Sequence, residues 1–270
     1  QDSCPMSMDT ASPSPITPET PGDGVEGWAD SGDVRINYLA QGDPSHPALL
    51  MVMGLGAQRV SWDPAFMARL VAMGRYVIAF DNRDAGMSTH FDDADIDLGE
   101  LIGAILGGAP LGNVPYSLSD MAADAVAVLD ALDIEAAHVV GASMGGMIAQ
   151  AIAIEHAGRV LSLTSVFSTT GEPEVGRPTD EAAAALVTPV PEERGAYIAA
   201  IMERWKLWSA PEHWSDEAVR ARLEREYDRN FDPPATPRQL AAIISSGSRA
   251  DDLPGVTAPT LVIHGLVDTL

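Results

Sequence analysis

One serine stands in the setting that nucleophilic catalysis requires. The segment Gly141-Ala142-Ser143-Met144-Gly145 fits the pattern Gly-x-Ser-x-Gly, and it lies between a short apolar run and a helix-forming stretch. A serine at such a sharp strand-to-helix turn projects its Oγ beyond the edge of the sheet. The N-terminus of the following helix favours negative charge that develops there. The pattern therefore predicts that Ser143 is a nucleophile.

A nucleophilic serine also needs hydrogen-bond donors for the oxyanion and an acid that orients its base. We expect the backbone N–H of Met144 to be one donor, and we favour the N–H of Leu55, in the glycine-rich run 54–57, as the other. Asp268 follows an apolar run at 260–264 and fits the orienting acid. The competing interpretations are a plain glycine-rich turn for 54–57 and a solvated loop aspartate for Asp268.

The sequence has no histidine at the position expected for the general base. The order Ser, then Asp, then His predicts a histidine after Asp268, and the sequence ends at Leu270. We therefore expect a C-terminally incomplete sequence, in which the catalytic histidine lies beyond residue 270. A chain ending there would turn over little or no substrate, unless His213 serves as the base. An inactive fragment or pseudo-enzyme remains the alternative.

The elements that must position these residues alternate between strand and helix. A hairpin is followed by buried apolar runs and amphipathic stretches, and this order predicts an α/β fold with a mostly parallel sheet and helices on both faces. The predicted strands are Val25–Trp28, Val34–Ala40, Ala48–Met53, Tyr76–Phe80, His138–Gly141, Val160–Phe167 and Thr260–His264, and the predicted helices begin at Asp63-Pro64, span Ser119–Leu132 and span Met144–His156.

Composition along the chain predicts four parts. Residues 1–24 are rich in Pro, Ser and Thr and form a disordered tail; residues 25–168 form the first part of the core. Residues 169–250 break the strand–helix alternation and form a helical cap, and residues 251–270 return to the core. The cap carries several tryptophans, including Trp205, which suit a small-molecule ester with an apolar acyl or aromatic group. The same tryptophans could equally pack the cap helices together.

The charge and composition exclude several classes of partner. A formal net charge of −23, from 39 acidic and 16 basic residues, opposes binding to nucleic acid or to anionic membranes. No apolar stretch is long enough to predict a membrane span. Cys4 is the only cysteine, so an intrachain disulfide is excluded, and this leans towards a cytoplasmic location without establishing it. The sequence does not indicate an oligomeric state.

Neither a cofactor nor a metal is expected. A dinucleotide-binding oxidoreductase is the remaining enzyme alternative, because a Gly-x-Gly at 54–56 follows a strand and Asp81 ends the next one. Arg59, however, stands where the third glycine of that fingerprint belongs. The acidic run 93–97 is similar to a calcium loop, but Leu98 and Ala104 replace its required Gly and Glu.

Taken together, four segments resemble the α/β-hydrolase superfamily, in its serine esterase branch. They are the loop 54–56, Phe80-Asp81-Asn82-Arg83-Asp84-Ala85-Gly86-Met87-Ser88, the Ser143 segment 138–146, and Leu261-Val262-Ile263-His264-Gly265-Leu266-Val267-Asp268. The second segment is similar to that of the aclacinomycin methylesterase-like hydrolases. The resemblance implies hydrolysis of carboxylic esters through an acyl-enzyme on Ser143. It also implies that Asp81, Arg83 and Ser88 shape a loop near the site rather than perform chemistry. Members of the family carry a last strand and a closing helix after the acid, so the resemblance implies that these two elements are missing from the sequence.

Overall fold

The computed structural model describes residues 24–107 and 111–270, so the predicted tail lies outside the described residues except for Gly24. These residues form one seven-stranded sheet in the order β1-β2-β4-β3-β5-β6-β7. The strands are β1 (Val25–Ser31), β2 (Val34–Gln41), β3 (Ala48–Val52), β4 (Tyr76–Phe80), β5 (Ala137–Ala142), β6 (Val160–Val166) and β7 (Thr260–Ile263). Each predicted strand is present, with ends that differ by up to three residues.

The topology of the sheet locates its ligand-binding edge. β1 and β2 form an antiparallel hairpin, β2 pairs antiparallel with β4, and β4, β3, β5, β6 and β7 run parallel. After β3 the chain moves to β4 on one side, and it then crosses to β5 on the other. Open α/β sheets bind ligands at such a reversal, outside the carboxyl ends of the strands. The loop after β3 and the turn after β5 flank this point.

Helices cover both faces of the sheet, as the sequence predicted. The helices are α1 (Pro64–Ala72), α2 (Leu98–Gly107), α3 (Leu118–Ala131), α4 (Met144–Glu155), α5 (Asp180–Val187), α6 (Arg194–Leu207), α7 (Asp216–Arg229) and α8 (Ala235–Ser246), with 3-10 turns at Arg59–Ser61, Ala157–Arg159, Pro211–His213 and Leu253–Gly255. Within the described ranges, none of these helices has both the length and the apolar character required to cross a membrane.

The central strands are buried on both faces, which explains their continuous apolar sequences. Alternate side chains of β3 and β4 point to opposite sides. Leu50 and Ile78 join the large core beneath α3 and α4, whereas Met51 and Val77 pack against α1. The run Phe66, Met67, Leu70 and Val71 predicts the apolar face of α1, but Phe66 is 43% exposed and does not belong to this core.

Local capping fixes where two helices begin. The Asp63 carboxylate accepts a hydrogen bond from the Phe66 amide at 2.9 Å, with Pro64 as the first helical residue of α1, as predicted. For α3, Ser117 and Asp120 form a reciprocal capping box, so the helix begins one residue before the predicted Ser119.

Residues 169–250 are called the cap segment below. They form helices joined by loops and contain no strand. α6 and α7 pack against each other around Ile198, Met202 and Leu223. The cap segment also contacts the rest of the protein, because α7 packs on the turn Arg59–Ser61 and α8 packs on α2 and α3. It therefore stands next to the loop that follows β3.

Candidate functional site

Ser143 occupies the sharp turn between β5 and α4, which we call the elbow. Its backbone has φ 54° and ψ −121°, a conformation that residues other than glycine rarely adopt. Its amide donates to the carbonyl oxygen of Val166 at 3.0 Å, which ties the turn to the end of β6. Backbone strain of this kind concentrates at functional sites, where the surrounding packing maintains it.

Two glycines allow the strand and the helix to approach closely enough for this turn. A Cβ atom on Gly141 would overlap the carbonyl group of Gly145, and a Cβ atom on Gly145 would overlap the carbonyl oxygen of Val52 at the end of β3. Any side chain at either position would push α4 away from the sheet. The spacing of the motif thus reflects the close packing of backbone on backbone.

Ser168 supports the elbow from the segment after β6. Its hydroxyl donates to the carbonyl oxygen of Ser143 at 2.7 Å, and a Cβ atom on Gly146 would lie 2.5 Å from the Ser168 Cβ. The sequence analysis missed this residue. No motif contains it, although its position just past a strand end was a usable signal.

The two predicted oxyanion donors lie on either side of the elbow. Met144 is the first residue of α4 and is fully buried, and Leu55 lies in the loop after β3. A Cβ atom on Gly54 would lie 3.1 Å from Cβ and 3.7 Å from Oγ of Ser143, so this loop passes close to the serine hydroxyl. Within the described part of the chain, neither the Met144 nor the Leu55 amide donates a backbone or side-chain hydrogen bond.

Asp268 lies in the loop after β7, at the same edge of the sheet as Ser143. Adjacent strands align Val52 with Gly141, and β5, β6 and β7 follow in parallel, so Asp268 and the elbow are separated by β6. The Asp268 carboxylate accepts a hydrogen bond from the Leu270 amide at 3.1 Å and lies 3.8 Å from Nδ1 of His264. Its role as the orienting acid stays a prediction.

The six histidines occupy varied positions, and none of their hydrogen bonds among the described residues involves Ser143. His213, the base candidate left open above, is exposed in the turn Pro211–His213. Burial and the neighbouring Arg75 lower the pKa of His138, whose Nδ1 lies 2.7 Å from the Ser162 hydroxyl on β6. His90 lies in the loop between β4 and α2.

Asp81 is enclosed by protein donors. One carboxylate oxygen accepts from the Arg59 amide at 2.7 Å, and the other accepts from the Met87 amide at 3.1 Å and from Arg229 of α7 at 2.6 Å. The Ser88 hydroxyl donates to the Asp81 carbonyl oxygen at 2.7 Å. Because the carboxylate is fully buried and engaged, it is not presented to a ribose. This geometry argues against the dinucleotide-binding alternative.

Arg83 and Asp84, the next charged residues of this loop, form two more buried pairs. Arg83 makes a bidentate pair with Asp124 of α3 at 2.7 and 2.8 Å. Asp84 makes one with Arg238 of α8 at 2.8 and 2.9 Å. We call the set Asp81, Arg83, Asp84, Arg229 and Arg238 the polar interface. It joins the loop after β4 to α3 and to the cap segment, so Asp81 and Arg83 shape a loop, as the resemblance implied.

The Asp84 carboxylate has further neighbours besides Arg238. The Tyr116 hydroxyl donates to it at 2.6 Å, and burial, reinforced by the adjacent Asp84 charge, raises the pKa of Tyr116. Asp84, His90 and Asp232 bring potential metal ligands within 4.8 Å of one another. The guanidinium of Arg238 also reaches Asp232 at 3.3 Å, so an arginine supplies the positive charge that balances these carboxylates.

Comparison with known proteins agrees with the fold and the elbow. Residues 47–205 match the family described as alpha/beta hydrolase fold. Rhodomycin D methylesterase DnrP of Streptomyces peucetius is 30% identical over 84% of this chain and 77% of its own length. Esterase RhEst1 from Rhodococcus sp. ECU1013 has a TM-score of 0.66 at 21% identity, covering 92% of this chain and 82% of its own. The 2-hydroxy-6-oxo-6-phenylhexa-2,4-dienoate hydrolase from Rhodococcus sp. strain RHA1 has a TM-score of 0.65 at 22% identity, covering 92% and 83%. The chain belongs to the alpha/beta hydrolase family, and it is a hydrolase.

Proposed function

We propose that this protein hydrolyses carboxylic esters through an acyl-enzyme formed on Ser143. The single observation that carries the proposal is the geometry of the elbow. A serine at φ 54° stands at the N-terminus of α4, beside a glycine loop so close that a Cβ atom added to Gly54 would lie 3.7 Å from its Oγ. Such a turn exposes the nucleophile and places backbone amides around the reacting carbonyl.

The reaction proceeds in two halves. Oγ of Ser143 attacks the ester carbonyl carbon while a histidine accepts its proton, and the Met144 and Leu55 amides stabilise the oxyanion. The C–O bond to the alcohol then breaks as the histidine returns the proton to the leaving oxygen. Water attacks the acyl-enzyme in the same manner and releases the acid. We propose that Asp268 orients this histidine.

The proposed substrate is a small-molecule ester with an apolar acyl or aromatic group. The similarity to a methylesterase supports an ester with a small alcohol as its leaving group. The cap segment contributes aromatic side chains, but several of them contact one another. Tyr197 lies 4.9 Å from Phe231, and Trp205 lies 5.8 Å from Trp208, between ring centroids. Tyr197 and Trp205 also pack against the apolar cluster between α6 and α7, so only the remaining faces of these rings are available to bind an apolar substrate.

Hydrolysis of p-nitrophenyl acetate and butyrate by the full-length protein tests the proposal. We expect kcat/KM to fall by about 10⁴-fold or more in Ser143→Ala, because the other groups cannot replace the nucleophile. Ser119→Ala is the matched control, since Ser119 is exposed on α3 and its hydroxyl donates to the Glu155 carboxylate at 2.6 Å. Hydrolysis that persists in Ser143→Ala would overturn the proposal. Absence of hydrolysis in the unsubstituted protein would instead favour a pseudo-enzyme.

A further inference from the structure

The loop between β3 and the turn Arg59–Ser61 is held at both ends by side-chain amides. The Nδ2 of Asn82, just after β4, donates to the Met53 carbonyl oxygen at 2.8 Å. The Gly56 amide donates to Oε1 of Gln239 on α8, also at 2.8 Å. Leu55, which carries the proposed oxyanion donor, lies between these two anchored points. The direction of its N–H is therefore set by what fixes Met53 and Gly56.

Gln239 has only one amide orientation that satisfies its neighbours. It is fully buried, and its Nε2 donates to the Arg83 carbonyl oxygen at 2.8 Å while its Oε1 accepts from Gly56. A carbonyl oxygen can only accept and a backbone amide can only donate, so a rotation of the amide would break both bonds. Gln239 thus joins the loop after β3 to the loop after β4.

Packing along α8 reinforces this anchor. Gly56 has φ +66°, and a Cβ atom on it would lie 2.8 Å from the Thr236 hydroxyl, one turn before Gln239. The Leu55 side chain packs with Leu240 and other apolar residues beside α8. The backbone at 55–56 therefore rests directly on this helix of the cap segment.

We propose that Gln239 is a positioning residue that aligns the Leu55 N–H with the oxyanion of the transition state. The inference rests on the proposed function of Ser143. Useful oxyanion donors lie about 2.7–3.1 Å from the developing charge, and loss of one donor costs about 10²–10³ in kcat. Gln239 touches neither the substrate nor Ser143, and it acts through the Gly56 peptide.

Gln239→Leu tests the proposal in the full-length protein. The variant removes both hydrogen bonds but fills similar space, and we expect kcat for p-nitrophenyl acetate to fall by about 10- to 100-fold, because the donor is displaced rather than removed. KM should change by less than about twofold, since the ground-state carbonyl gains little from this donor. Gln150→Leu is the matched control. It removes a buried glutamine whose Oε1 accepts from Arg249 at 3.0 Å, and its kcat should stay unchanged at a similar loss of Tm.

Gln239→Glu adds a signature that a general loss of stability would not produce. A protonated carboxyl can accept from Gly56 and donate to the Arg83 carbonyl oxygen, whereas an ionised one presents an oxygen to that carbonyl. Burial favours the neutral form. We expect the ratio of kcat in Gln239→Glu to kcat in the parent to rise as the pH falls from 8 to 5.

The outcomes separate the inference from the function it rests on. Hydrogen exchange at the Gly56 amide should accelerate at least about tenfold in Gln239→Leu, whether or not the protein is active. If Ser143-dependent hydrolysis is present and kcat in Gln239→Leu equals that of the parent, the inference is overturned and the function stands. If the unsubstituted protein shows no Ser143-dependent hydrolysis, both are overturned.

Discussion

The elbow and the polar interface both hold backbone of the candidate site in place, but they do so through different forces. In the elbow, the decisive contacts are backbone against backbone, as where Gly145 of α4 lies on the Val52 carbonyl at the end of β3. In the polar interface, ion pairs join residues that are far apart in the sequence. Arg229 pairs with Asp81 over 148 positions, and Arg238 pairs with Asp84 over 154 positions. The elbow is therefore sensitive to size, and the interface is sensitive to charge.

This difference explains why the sequence showed both sides of the contact in the elbow but not the arginine partners in the polar interface. A glycine that must lie under a helix leaves a fixed local spacing, which the motif around Ser143 preserves. An arginine that pairs with a carboxylate on a distant segment leaves no fixed spacing in the sequence. The three predictions below test the contrast by changing charge in one region, volume in the other, and pH across both.

The largest effect is expected at Asp84, because it balances a buried arginine. Asp84→Asn keeps the side-chain size and tolerates the residue's φ of 59°, but it leaves the charge of Arg238, whose side chain is 3% exposed, without its main partner. Removal of one member of a buried pair costs about 3–5 kcal/mol of unfolding free energy. Urea denaturation followed by circular dichroism measures the loss.

The double variant Asp84→Asn with Arg238→Met separates charge from packing. If the loss comes from an unbalanced buried charge, removing both charges should cost clearly less than the sum of the single substitutions. Glu174→Gln is the exposed control, because its partner Arg177 is 64% exposed and the pair is solvated. Additive losses in the double variant would show that the interface depends on shape, as the elbow does.

A smaller loss is expected when volume is added to the elbow. Gly141→Ala places a methyl group against the Gly145 carbonyl, and we expect a loss of about 1–3 kcal/mol in unfolding free energy, typical of overpacking. Gly103→Ala is the matched control, since a Cβ atom there meets nothing within 4 Å and the residue lies inside α2. That substitution should stabilise by about 0.5–1 kcal/mol. If the two substitutions changed the free energy of unfolding by the same amount and in the same direction, the steric explanation would be contradicted.

Local chemistry decided which parts of the fold and site were predictable. The strand sequence of β3, the Asp63 cap of α1 and the Ser143 turn each follow from residues that are adjacent in the chain, and the structure places them as predicted. Asn82 and Gln239 could not be found in this way. Their amides contact loops 29 and 183 positions away, and neither residue belongs to a periodic pattern.

The smallest effect is expected at Glu226 of α7, and it changes with pH. Burial raises the pKa of this carboxyl above its usual value, and the charge of Arg222 and the Ser61 hydroxyl only partly oppose the rise. The folded state thus binds this proton more tightly than the unfolded chain does. The resulting stability is complete below the usual pKa of 4.5 and is lost as the pH rises through the raised value.

Glu226→Gln mimics the protonated form and removes this dependence. We expect the variant to exceed the parent by about 1 kcal/mol in unfolding free energy at pH 8, with the difference shrinking towards pH 4. Glu193→Gln gives the opposite sign, because hydrogen bonds from the Gly195 and Ala196 amides lower the pKa of Glu193, and its contribution is present above pH 4.5 and lost in acid. Denaturation curves at pH 4, 6 and 8 compare the two. Since the elbow is built from uncharged atoms, the cost of Gly141→Ala should stay constant over the same range, and a cost that followed pH would place titrating groups in the elbow as well.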